Sequence, residues 1–134
     1  MKLIFLSTFI AAIIFLIIDL FWLSITVKYF YKPNLGNLLL DTPVIWAAIA
    51  FYIMYVLGLS IVVIEPAIGN DINSKFLLKS FMFGLVAYGT YNLTNMATLK
   101  GWSTNVVFVD MFWGGLLTAT SSTLGIIIAK RLLI

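Results

Sequence analysis

The chain has 134 residues, of which 63% are hydrophobic and 10% charged, with a net charge of +3 and a mean hydropathy of +1.12. Such a composition lies far outside the soluble globular range, and the basic residues gather at the ends of apolar runs rather than in a nucleic-acid-binding patch. Cysteine and histidine are both absent; this excludes disulfides, thiolate nucleophiles, zinc-thiolate sites, haem histidine ligands and imidazole proton relays within the chain.

Four apolar stretches, about 3–27, 43–64, 76–97 and 106–129, each reach the roughly 20 residues that an α-helix needs to cross a bilayer. The first runs past Asp19 and Trp22 to Val27 without a small-residue cleavage site, so it reads as a retained helix rather than a secretory signal. The connection from Lys28 to Thr42 is rich in aromatic residues and leucine. It is expected to lie along the headgroup layer or to fold over the bundle mouth, with Pro33 and Gly36 permitting turns. Asp41-Thr42-Pro43 is a start signal for the second helix. The segment from Glu65 to Lys75 reads as an ordinary turn, and the connection of about 98–105 is short. Short connections imply antiparallel neighbours. The expected fold is therefore all-α: a polytopic membrane protein whose residues 1–134 form a single four-helix domain, an up-down bundle of four antiparallel transmembrane helices. Lys2, Lys75, Lys79, Lys130 and Arg131 fall on one side, against Lys28, Lys32 and Lys100 on the other. This asymmetry places both termini in the cytoplasm.

Two acids interrupt these runs. Asp19 and Asp110 each open an Asp-x-Phe-Trp phrase, Asp19-Leu20-Phe21-Trp22 and Asp110-Met111-Phe112-Trp113. An ionised carboxylate in hydrocarbon is costly, so each acid marks a candidate site. Helical rise puts Asp19 about 12 Å and Asp110 about 6 Å inside the outer ends of their helices. Tyr88, Asn92 and Asn95 share one face in the outer half of the third helix, and Tyr52 and Tyr55 lie near mid-membrane on the second. Asp19, Asp110 and Asn95 are expected to approach one another there. The stripe of Thr8, Ala12, Phe15, Asp19, Trp22 and Thr26 should face inward on the first helix. Asp110, Gly114, Thr118, Ser121 and Gly125 should do so on the fourth, where small residues allow close packing. Trp46 and Trp102 read as interfacial anchors, whereas Trp22 and Trp113 read as aromatic walls beside the acids. Because the two phrases lie on antiparallel helices, their likeness is no evidence of duplication.

The candidate ligand-binding residues are thus Asp19, Trp22, Tyr88, Asn92, Asn95, Asp110 and Trp113. The same residues admit a structural reading, in which the acids accept hydrogen bonds from Tyr88, Asn92, Asn95, Lys28 or Lys100 and fix the helix register. No nucleophile–base arrangement and no established metal-ligand spacing is present in the sequence, so no catalytic residue, metal or cofactor is assigned.

The segment from Tyr88 to Trp102, YGTYNLTNMATLKGW, followed by Val109-Asp110-Met-Phe-Trp-Gly114, resembles the signature of a bacterial family of small four-span membrane proteins catalogued as a domain of unknown function. Asp19-Leu-Phe-Trp22, Phe30-Tyr31, Leu35-Gly36 and Leu38-Leu39 extend the resemblance over most of the chain. It implies a four-helix membrane fold in the bacterial inner membrane and brings no activity with it. The family's pattern has an acid where this chain has Asn92, which counts against any mechanism needing three carboxylates. The reading placed first is binding or transport of a small amphiphilic or cationic solute through an outward-facing acidic and aromatic pocket, in a bilayer-embedded chain acting as a homo-oligomer. An accessory subunit of a larger membrane complex comes second, and an intramembrane enzyme using Asp19 and Asp110 comes third.

Overall fold

The computed structural model describes residues 1–133, which contain helices and turns and no strand. Four long helices alternate in direction as an up-down antiparallel bundle: α1 (Lys2–Thr26), α2 (Ile45–Leu59), α3 (Ser74–Thr98) and α4 (Thr104–Leu133). The termini share one end of the bundle, called proximal below; the first and third connections mark the distal end.

The first two helices continue past regular α-geometry into wider and tighter turns. Beyond α1 the chain stays helical through a π-turn, Val27–Tyr31, and a further turn, Lys32–Leu35. The segment expected to lie flat or fold over the mouth is thus largely a continuation of the first helix. Beyond α2 a second π-turn, Ser60–Ile64, leads into a 3-10 turn, Glu65–Ala67. Each π-turn stops two residues short of a proline, Pro33 or Pro66. A proline ring inside a helix collides with the carbonyl four residues back and offers no N–H; the wider π-turn absorbs both defects. Gly36, at φ 52°, then ends the first helix where another residue would be strained. Asp41 and Thr42 precede α2 rather than cap it, because Val44 is still extended and the helix starts at Ile45. α3 does have a side-chain cap: Asn73 Oδ1 accepts from the Phe76 N–H at 3.1 Å.

The extended first helix, the extended second helix and α4 are each long and apolar enough to cross a membrane. α3 matches them in length, with 25 residues, but is more polar, carrying Lys75, Lys79, Tyr88, Tyr91, Asn92 and Asn95 among others. Its exposed threonines limit the cost locally. Thr90 and Thr98 donate to the carbonyls of Val86 (2.7 Å) and Thr94 (2.8 Å), and Thr94 donates to Thr90 O.

α4 is the axis of the bundle, packed along both α1 and α3. Its buried stripe includes Asp110, Gly114, Thr118, Ser121 and Gly125. On α1 the buried row is Ser7, Ala11, Phe15 and Asp19, one residue off the expected Thr8 and Ala12 at its proximal end. The helices approach closely there: a Cβ added at Gly125 would meet Ala11 Cβ and Ser7 O at 2.7 Å. Thr8 instead turns sideways to share a hydrogen bond of 2.7 Å with Ser60. α3 and α4 cross at Gly84, where a Cβ would lie 2.1 Å from the Gly114 carbonyl oxygen. α2 sits at the flank. Its proximal part seals the core, with Leu59, Val63 and Ile64 against Ala11, Phe76 and Ile126. Farther out, Tyr55 packs on Phe15 and Leu117, and a cleft opens between α2 and α3.

Gly84→Ala should destabilise the protein by about 1–3 kcal/mol or more, since the intruding methyl meets backbone that cannot rotate away. Gly58→Ala is the control, its Cβ meeting only the Phe83 ring edge at 3.4 Å. Thermal unfolding in detergent micelles should show a large loss for the first and little for the second.

Candidate functional site

Both acids are buried, each with 6% of its surface exposed, and both are held by neutral donors. Asp19, in the last third of α1, accepts from the Tyr52 hydroxyl at 2.7 Å and from Trp113 Nε1 at 3.1 Å. Asp110, near the start of α4, accepts from the Tyr31 hydroxyl and from Asn92 Nδ2, the latter at 3.2 Å. Each carboxylate therefore ties its own helix to two other segments of chain. A carboxylate offers about four lone-pair sites, so each acid keeps acceptor capacity in reserve. Lys28 and Lys100 supply none of these donors. Lys28 lies over the Tyr29 ring, with Nζ 5.3 Å from its centroid, and Lys100 is exposed.

The repeated Asp-x-Phe-Trp phrase has a geometric meaning here. Trp113, three residues after Asp110, donates to the acid of the other phrase, Asp19. Trp22, three residues after Asp19, donates at 3.3 Å to the Tyr31 hydroxyl, which in turn donates to Asp110. The two indoles stack, with centroids 4.1 Å apart and planes at 13°. The phrases thus clasp each other across the antiparallel α1–α4 seam, while Phe21 and Phe112 point outward. Trp22 and Trp113 form this clasp; they line a separate surface hollow with Phe108, Phe112 and Leu116 rather than the cavity described below.

Tyr31 owes its place to the π-turn. Nine residues of α-helix after Trp22, at about 100° each, would set it on the opposite face; the π-turn's extra residue brings it back to within about 80°. Tyr52 depends on α2, whose second tyrosine, Tyr55, meets Thr118 Oγ1 at 2.6 Å while Thr118 donates to Gly114 O. Neither Tyr31 nor Tyr52 is among the expected site residues. The available signals were the depth of Tyr52 on α2 and an aromatic run that stays free of helix breakers until Pro33.

Asn92 is fully buried. Its Nδ2 donates to Asp110 Oδ2 and, at 3.1 Å, to the Tyr88 carbonyl, two acceptors that fix the orientation of its amide. Its Oδ1 has no partner among the described residues. Asn95, one turn farther out, is half-buried and makes no side-chain hydrogen bond among the described residues, so it does not join Asp19 and Asp110 in the network. Tyr88 lies against Gly114, where a Cβ would sit 2.4 Å from its ring, and meets Tyr55 edge-on at 6.1 Å. With Phe51, Ala87, Tyr91 and Asp110 it lines a cavity of about 290 Å³ between α2 and α3. Of the seven candidate residues, only Tyr88 and Asp110 line that space. Asp19, Trp22, Asn92 and Trp113 belong to the network around it. Trp46 is 75% exposed on the outer side of α2, and Trp102 packs edge-on to Tyr91 at 5.5 Å.

The family described as "Predicted membrane protein (DUF2177)" matches residues 4–127, a span that takes in both acids and all their donors. The chain belongs to that family. It is the kind of family that the Tyr88–Trp102 and Val109–Gly114 segments resemble, and it makes this DUF2177 chain a membrane protein. No curated protein and no solved structure matches the chain.

Trp113→Phe and Tyr31→Phe each delete one donor to a buried carboxylate while keeping an aromatic ring. Each is expected to lower stability by about 1–3 kcal/mol. The check is thermal unfolding in detergent beside Trp46→Phe, whose exposed indole should be replaceable without measurable loss.

Proposed function

We propose that this membrane protein binds, as the first step of transport or sensing, a small cationic or amphiphilic solute in the cavity between α2 and α3. One observation carries the reading: an aromatic space whose lining includes a buried acidic residue, Asp110. Phe51, Tyr88 and Tyr91 line it, and the faces of such rings attract a desolvated cation. The acid adds a charge whose pull is stronger away from bulk water. Tyr31 and Asn92 hold Asp110 in place from behind, so the carboxylate is set before any ligand arrives. Asp19, Trp22 and Trp113 brace the seam on which that arrangement rests. Tyr91 and Phe51, both on the lining, are also exposed on the bundle surface, which would let an amphiphile reach the cavity from the bilayer.

In this reading the protein lies in the bacterial plasma membrane with both termini cytoplasmic, so the acid cavity sits in the outward half. The five-against-three distribution of basic residues supports that orientation.

Binding can be measured by calorimetry and thermal stabilisation with hexylamine and tetraethylammonium as probes. Wild-type protein should bind at least one of them. Asp110→Asn, which keeps the shape and an acceptor for Tyr31, should weaken it at least about tenfold, or ~1.4 kcal/mol. Equal affinity in the two proteins, or no binding of either amine by the wild type, rejects the proposal. The orientation has a separate check, because the chain lacks cysteine. Asn37→Cys should react with an impermeant thiol reagent in intact cells and Asn70→Cys should not; the reverse pattern inverts the topology.

A further inference from the structure

The α2–α3 cleft continues below the acid cavity towards the proximal end of the bundle. Next to the acid cavity lies an apolar groove lined by Val62, Met82, Phe83, Val86 and Ala87, with Lys79 at its lower end. Below that is a polar hollow of about 360 Å³, lined in part by Pro66, Asn70, Asn73, Lys75 and Lys79. Neighbouring spaces share residues, Ala87 above and Lys79 below. One row of α3 at four-residue spacing, Lys75, Lys79, Phe83, Ala87 and Tyr91, borders all three. The cleft therefore changes character along its length, basic at the proximal end and apolar farther in.

We propose that the lower cleft is a binding site for an anionic glycerophospholipid of the bilayer. Its phosphate sits at Lys75 and Lys79, and one acyl chain lies in the groove between α2 and α3. Charge favours this occupant. Lys75 and Lys79 are four residues apart on one helical face and both border the hollow, where they can meet a single phosphate. Lys130 adds a third ammonium nearby, donating to the Asn70 carbonyl at 3.0 Å. Asp71 is the acid on the hollow's lining, which leaves the mouth positive. The side-chain amide of Asn70 gives one N–H to Pro66 O at 3.2 Å and keeps the other for a ligand. From Lys79 to Ala87 the groove runs about 12 Å along α3, depth enough for a substantial part of one acyl chain. A free phosphate would use the hollow and leave the apolar groove unfilled; a neutral lipid would use the groove and leave the lysines unmatched. An anionic lipid uses both.

This site is independent of Asp110, and its test separates the two. Native mass spectrometry of the detergent-solubilised full chain would be used to titrate phosphatidylglycerol and phosphatidylcholine against wild type and three variants. Wild type should show one saturable site preferring phosphatidylglycerol by about tenfold or more, as expected of two lysines beside an anionic headgroup. Lys75→Gln/Lys79→Gln should abolish the preference. Val62→Trp, which fills the groove from a position already 45% exposed, should weaken phosphatidylglycerol binding several-fold with both lysines in place. Asp110→Asn should leave lipid binding unchanged. Equal binding of the two lipids by wild type, or a preference that survives the double lysine change, overturns the proposal. So does displacement by inorganic phosphate, or indifference to Val62→Trp, since either would show charge attraction without a chain-binding groove.

Discussion

Two carboxylates must be kept out of hydrocarbon, and most of the bundle's distal half is arranged around that need. An acid within a membrane helix is tolerated when it faces the protein interior and finds partners there. Here the partners are neutral. A tyrosine and an indole hold Asp19; a tyrosine and an amide hold Asp110. Every donor comes from a segment other than the acid's own helix. Satisfying the acids and assembling the helices are therefore one process, and neither carboxylate can be solvated by protein before its neighbours have docked.

That requirement makes sense of features that look unrelated. α4 is central because its small residues let α1 and α3 approach on two sides, at Gly125 and at Gly84 opposite Gly114. Close approach brings the indole of one Asp-x-Phe-Trp phrase within reach of the acid of the other. The π-turn after α1 resolves the crowding expected at Pro33 and, by the same extra residue, turns Tyr31 towards Asp110. α2 is fastened chiefly at its proximal part, which frees its distal part to stand off from α3 and leave Asp110 a face on the cleft.

Much of this was legible in the chain. Apolar runs of spanning length announce four helices, and the burial of Asp19 and Asp110 inside the bundle follows from the cost of an acid in hydrocarbon. The inward stripe on α4 reads directly from Gly114, Thr118, Ser121 and Gly125. Less visible was anything that depends on helix phase after an irregularity. Periodicity assumes 3.6 residues per turn, so it puts Tyr31 on the wrong side of its helix and ends that helix at Val27. Nor does spacing reveal which residue across an interface a side chain meets. Trp22 and Trp113 stack on each other while Trp113 donates to the acid of the opposite phrase, pairings set by the stagger of α1 on α4. Asn95 shares a face with Asn92 but lies a turn beyond it, and at the bundle's distal end one turn decides between a buried bond and the rim.

The stacked indoles of Trp22 and Trp113 have one more consequence. Two parallel chromophores in close contact couple their electronic transitions, whereas Trp46, exposed on α2, and Trp102, beside Tyr91, have no indole stacked on them among the described residues. The α1–α4 seam thus has its own optical gauge. Any sliding or parting of those helices alters the coupling between the rings, and the molecule reports its own strain without an added label.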